Sequence, residues 1–236
     1  MKYPVIIATG FTKDYAFGEK YISSLCEFCN VPFKVVSVGY RDESRIYIPF
    51  PNTPKQMLQA GHFVLTLKPI VTPDTVVCFT DADMLMQRPL DADELELLGN
   101  INGNQMAIGW NQGPGATLET EAALLTPTVE PDRLEVLFPG YRTMPVWNTG
   151  FVVATMLTWD KFFHHCLPIL EQSRVFLNAA RVQWAMCYTL EACGYSHVLL
   201  PQHIHAHGHH GKPAGVTVEN GVASFNGRPI AFRHRI

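Results

Sequence analysis

The sequence lacks any long basic run: across 236 residues, Lys and Arg total 18 against 21 Asp and Glu. A nucleic-acid binder needs a clustered cationic face, so that class of partner is excluded. Also missing is any apolar stretch of about 18 residues, the length a membrane-crossing helix requires. The opening MKYPVIIATG has a short apolar run that reads as a strand, without the length or small-residue cleavage site of a secretory leader, and the cytoplasm is the expected compartment. No second cysteine pair completes a zinc ribbon with Cys26-x-x-Cys29, and the six cysteines mostly fall in apolar periodic segments, as reduced core thiols do. Neither an internal repeat nor a low-complexity linker divides the chain, so one domain spanning residues 1–236 is expected.

What is present is a hydrophobic content of 47%, enough to bury a substantial core. The pattern opens as strand, helix, strand. PVIIATG is a continuous apolar run; YAFGEKYISSLCEF places Phe17, Tyr21, Ile22, Leu25 and Phe28 at helical spacing; FKVVSVGY is β-branched. This predicts a right-handed parallel βαβ unit. A Pro-rich loop (47–55), a helix near 55–68 and the strand TVVCFT follow. QMAIGW and GFVVAT read as strands, separated by a Gly- and Pro-punctuated region (111–146) of weak periodicity, and helices are predicted near 159–167 and 178–193. In the tail, Asn220-Gly221 and Asn226-Gly227 sit between apolar or β-branched residues and predict a small antiparallel meander.

TVVCFT is apolar on both faces, as a central strand covered by helices should be. In open α/β sheets, ligands bind beyond the carboxyl ends of such strands. There the chain places Asp81 and Asp83, with only Ala82 between them. Two carboxylates on one turn repel each other unless a cation or a proton lies between them, and carboxylate oxygens suit hard ions such as Mg²⁺ and Mn²⁺. A strand ending in D-x-D also begins phosphatases of the haloacid-dehalogenase type. Their pattern is D-x-D-x-T with a late acidic pair, whereas the fifth position here is Leu85 and no Asp-Asp occurs. A metal-dependent phosphoesterase or nucleotide-sugar hydrolase is kept as the alternative reading, together with a non-catalytic nucleotide-sugar binder.

The stretch TVVCFTDADMLMQRPL (75–90) resembles the D-x-D segment of GT-A-fold glycosyltransferases, most closely the branch that includes glycogenin and the bacterial lipopolysaccharide galactosyltransferases. ATGFTKDYAFGEKYISSL (8–25) is similar to that family's first strand, nucleotide loop and first helix, and VWNTGFVVATMLTWDKF (146–162) to its N-[AST]-G strand and tryptophan-bearing helix. The resemblance implies a Rossmann-like α/β fold with a central, mostly parallel sheet flanked by helices. It also implies a nucleotide-diphosphate sugar as donor, UDP-sugars first, a glycan or glycoconjugate as acceptor, and Mn²⁺ or Mg²⁺ as the ion. By the same resemblance Ala8, Thr9 and Gly10 would line the nucleoside pocket and Tyr15 would stack on the base. Asp81, Ala82 and Asp83 would meet the donor, with Asp81 and Asp83 ligating the metal. Asn148, Thr149 and the close-approach Gly150 would face donor sugar or acceptor. Tyr15 packed on the sheet is the alternative for that residue.

Family members supply a further metal ligand from a late histidine. His234, after the apolar PIAF, competes with His205 and His207 in HIHAHGHHGKP (203–213). His234 lies 51 residues beyond Gln183 and His205 only 22, and the family spacing favours His234. A ligand at a strand end is also held more firmly than one in a loop. The histidine-rich loop could bind zinc, contact a diphosphate or acceptor, or simply be exposed. The sequence departs from the family at Val182-Gln183, where Val182 replaces the family's acidic residue before the candidate catalytic glutamine, and at the upstream diphosphate cation, where Leu65 stands between His62 and Lys68. Glu119, Glu121, Glu130 and Asp132 are candidate general bases, and Trp110 and Trp147 could stack on a sugar or pack in the core.

Overall fold

A computed structural model describes residues 4–39, 42–48, 61–111, 113–125, 128–175, 180–208 and 213–235. The first apolar run forms β1 (Val5–Thr12), helix α1 follows (Gly18–Phe28), and the β-branched run forms β2 (Phe33–Val38) parallel to β1. Tyr21 and Leu25, one helical turn apart, are fully buried. A β-carbon at Gly18 would come within 2.5 Å of the Phe11 ring, so only glycine lets α1 lie this close to β1.

After β3 (Ile46–Ile48) come β4 (Val76–Thr80), β5 (Met84–Met86), α2 (Ala92–Gly99) and β6 (Gln105–Trp110). The weakly periodic region holds only the short helices α3 (Leu118–Glu121) and α4 (Pro131–Leu137) before β7 (Trp147–Thr155) and the long α5 (Met156–Gln172). Then follow α6 (Ala180–Ala192), β8 (Ser196–Leu199), β9 (His205–His207), β10 (Val216–Glu219), β11 (Val222–Phe225), β12 (Arg228–Pro229) and β13 (Phe232–His234). Of the helix expected over 55–68, residues 55–60 lie outside the described residues, and His62–Leu67 is a 3-10 helix.

The central sheet has the order β3-β2-β1-β4-β7-β6-β8 and is mixed rather than uniformly parallel, because β7 runs antiparallel to both β4 and β6. All nine residues of β7 are buried. Helices flank the sheet, and its two faces feed separate cores: along β4, Val77 and Phe79 join one cluster while Val76 and Cys78 join the other. Each such large buried apolar side chain contributes roughly 1.5–3 kcal/mol relative to exposure.

Two three-stranded sheets complete the fold. In the meander β10-β11-β12, Asn220 and Gly221 (φ 49° and 81°) and Asn226 and Gly227 (φ 49° and 80°) turn the chain through the left-handed region, as the Asn-Gly pairs predict. The other sheet was not legible in advance: β13 pairs antiparallel with β5 and parallel with β9, three residues to each strand. Gln87, just after β5, ties both sheets to the D-x-D segment. Its Nε2 donates to the carbonyls of Ala223 (3.1 Å) and Ile230 (3.0 Å), and its Oε1 accepts from Ala223 N–H (2.9 Å).

Candidate metal centre and cleft

Asp81 and Asp83 occupy the turn between β4 and β5. The MLM that follows is not merely apolar. As β5 it pairs Met84 with His234, which brings a residue more than 150 positions away beside the carboxylates. His234 Nε2 lies 3.1 Å from Asp83 Oδ1 and 4.0 Å from Asp81 Oδ2. One ligand atom from each of the three lies within 4.8 Å of the others. His234 is buried, and the Asp83 side chain is 7% exposed.

The electrostatics divide the two aspartates. Although 37% of the Asp81 side chain faces the cleft, its surroundings desolvate it, and this pushes its carboxyl up to about 6; Asp83's charge adds to the rise while His234 and Arg235 oppose it. Burial acts upward on Asp83 too, but the hydrogen bond and charge of His234, reinforced by Arg235, outweigh it and hold that carboxyl well below the ordinary range. Tyr15 stands on the same rim, its phenol pushed up to about 12 by burial and by the two carboxylates.

These residues fit a metal ion. Two adjacent carboxylates and an imidazole nitrogen converge, and the wall behind them leaves no slack: a β-carbon on Gly150 would fall 2.6 Å from His234 Cε1 and 2.8 Å from Asp81 Oδ2. Gly150 reaches this position because β7 is antiparallel to β4, so the beginning of β7 meets the end of β4; Gly150 O accepts from Asp81 N–H at 2.8 Å. The expected strand GFVVAT therefore starts at Trp147, and Asn148 and Thr149 lie inside it rather than before it. The chain carries a second D-x-D, Asp91-Ala92-Asp93, with another role: Asp91 caps α2, its Oδ1 accepting from Glu94 N–H at 3.0 Å.

The triad edges a cleft of about 560 Å³. Gly10, Tyr15, Asp81, Ala82, Asp83, Asn148, Thr149, Gln183 and His234 all line it. Ala8 and Thr9 do not: both are fully buried within β1, and only Gly10, at the carboxyl end of their row, reaches the opening. His205 is also outside, buried and stacked on Phe151 at 5.1 Å. His207 lines the cleft with its ring 4.5 Å from that of His234, but β9 lies on the far side of β13 from β5, which leaves His234 nearest the aspartates. His209 and His210 lie outside the described residues.

The same cleft has a polar wall. Glu121, 1% exposed, accepts from Asn111 Nδ2 (2.5 Å) and from Gln183 Nε2 (2.7 Å), and Asn148 Nδ2 donates to Asn111 Oδ1 (3.3 Å). Of the four candidate carboxylates only Glu121 lines the cleft; Glu119 pairs with Arg142 on the surface, and Glu130 and Asp132 are exposed at the start of α4. Trp110 and Trp147 stack on each other at 4.4 Å outside the cleft, so the packing reading applies to both. Lys68 pairs with Asp160 and does not line the cleft. Among the described residues, Arg235 is the one lysine or arginine that does. It follows His234 directly, yet no local pattern marked it. No protein-family model matches this chain, and no curated protein matches it.

Proposed function

We propose that the chain is a metal-dependent, GT-A-like glycosyltransferase that moves a sugar from a nucleotide-diphosphate donor, a UDP-sugar first, to a carbohydrate-containing acceptor. The observation that carries the reading is that Asp81, Asp83 and His234 line the same cleft as the Glu121 amide network. A cleft of about 560 Å³ is within the range that holds ligands of this size. The donor set, two carboxylates and an imidazole, suits Mn²⁺ first and Mg²⁺ second. Such an ion supplies Lewis-acid neutralisation of the charge that grows on the departing diphosphate.

The chain's own residues divide the remaining work. Tyr15 offers a ring face for the base. Asn148, Thr149 and Gln183 offer amide and hydroxyl groups to sugar hydroxyls. Glu121, which accepts from two amide donors, takes the proton of the acceptor hydroxyl as that oxygen bonds to the sugar carbon and the sugar–phosphate bond breaks, its electron pair leaving with the diphosphate.

Calorimetry with UDP and with GDP, each with and without Mn²⁺, tests the reading. UDP is expected to bind only with Mn²⁺, and Asp83→Ala to weaken it by about 100-fold or more, the scale of losing a charged ligand. Absence of binding by either nucleotide in every condition would overturn the UDP and GDP versions of the proposal. Turnover with water alone would favour the hydrolase, and binding without turnover the non-catalytic relative. Glu121→Gln is expected to lower turnover by roughly 10²–10⁴-fold while UDP affinity stays within about threefold, because the proton acceptor is lost and the nucleotide contacts are not.

A further inference from the structure

Arg235 holds the Asp83 oxygen that His234 does not. Its Nε and Nη2 both lie 2.5 Å from Asp83 Oδ2, while His234 Nε2 approaches Oδ1. Arg235 also has φ of 51°, one of three non-glycine residues with positive φ among those described. The other two are the asparagines of the Asn-Gly turns, where that conformation is ordinary. An arginine has no such local reason to adopt it, and residues held this way concentrate at functional sites.

Asp83 is almost wholly enclosed, and an enclosed carboxylate must have a charged or hydrogen-bonding partner. Among the described residues, its side-chain partners are Arg235 and His234. A divalent ion against Asp81 and Asp83 would satisfy both carboxylates and leave that pole neutral. The guanidinium would then offer positive charge in the cleft, where it is the one lysine or arginine among the described lining residues. Its planar fork suits two phosphate oxygens, and the side chain is half exposed, so it has room to turn. The 3-10 helix His62–Leu67, where the family resemblance places a diphosphate cation and this chain has Leu65, contributes only Phe63 to the cleft.

We infer that Arg235 is an exchangeable partner of Asp83: it neutralises the carboxylate in the metal-free protein and turns to the diphosphate when ion and nucleotide enter together. The inference rests on the transferase reading for the identity of the anion, and on the contacts of Arg235 alone for the exchange. No covalent step is involved.

Exchange makes a prediction of opposite signs. Arg235→Gln removes the competitor for Asp83, so Mn²⁺ without nucleotide should bind about three- to tenfold more tightly. The same variant removes the phosphate partner, so UDP in saturating Mn²⁺ should bind at least about 30-fold more weakly, with Arg235→Lys between it and the wild type. Both affinities are read by calorimetry on the full chain, and far-UV circular dichroism checks the fold of each variant. Loss of Mn²⁺ and UDP affinity together would show a purely structural Arg235 and overturn the inference, as would no change in either. If the wild type binds Mn²⁺ but no UDP, the diphosphate half falls together with the transferase reading. If the wild type binds UDP and Arg235→Gln binds it equally well, the inference alone falls.

Discussion

Gly150→Ala is expected to abolish metal binding, lowering Mn²⁺ affinity by about 100-fold or more, with only a moderate loss of metal-free stability. Gly150 does not have positive φ, so the constraint there is space alone. The added methyl group would sit 2.6 Å from His234 Cε1, 2.9 Å from His234 Nδ1 and 2.8 Å from Asp81 Oδ2, separations that real contacts do not tolerate. His234 is buried on β13 and Asp81 is tied to Gly150 through its backbone, so relief must come from moving the imidazole or the carboxylate away from the point where they converge. Overpacking of this kind costs about 1–3 kcal/mol in fold stability. Thermal unfolding separates the two effects. At 100 times its dissociation constant, an ion stabilises by about 2.7 kcal/mol, which for a chain of this size is roughly 5–10 °C in Tm. The wild type should show that rise with Mn²⁺ and Gly150→Ala should not. An equal rise in both would remove Asp81, Asp83 and His234 as the metal site.

Glu94→Ala is expected to be among the most destabilising single substitutions in the chain, at about 3–5 kcal/mol in urea unfolding, because it removes a buried carboxylate and strands the cations that surround it. Glu94 is 2% exposed. Arg88 grips it bidentately at 2.6 and 2.7 Å, Arg228 reaches it at 3.0 Å, and its Oε2 accepts from Asp91 N–H at 3.0 Å to close the capping box of α2. Arg88 in turn donates to the carbonyls of Pro229 and His203. The cluster therefore locks the segment after β5 to the chain just before β9 and just before β13, the strand that delivers His234. Asp91→Ala is the control. Asp91 also pairs with Arg228, but both side chains are largely exposed, so its loss should cost about 1 kcal/mol, mostly the helix cap. A Glu94→Ala effect no larger than the Asp91→Ala effect would show that the buried cluster is not a stabilising anchor.

What could be read in advance was local. The βαβ opening, the central strand β4, the two Asn-Gly turns and the carboxylates at a strand end are each written within a dozen consecutive residues, because periodicity of 2 or 3.6 and turn chemistry act over that range. The two D-x-D segments show the limit. Asp81-Ala82-Asp83 and Asp91-Ala92-Asp93 are identical in residue type, but one follows a buried strand and faces His234, while the other starts a helix and faces Arg228.

The sequence by itself determined that Asp81 and Asp83 stand at the carboxyl end of a central strand, and that the two Asn-Gly turns fold a small antiparallel meander. The family spacing favoured His234, but only the tertiary structure set it beside the two aspartates, made Glu121 the candidate carboxylate in the cleft, and brought Arg235 there as its guanidinium. The reason is the distance in sequence over which these choices are made: Arg235 meets Asp83 across 152 positions and Gln183 meets Glu121 across 62. Strands of three residues, such as β5, β9 and β13, carry too little pattern to declare a partner. Their pairing is selected by the packing of the whole chain, which sets β13 between β5 and β9 and so chooses His234 over His205 and His207.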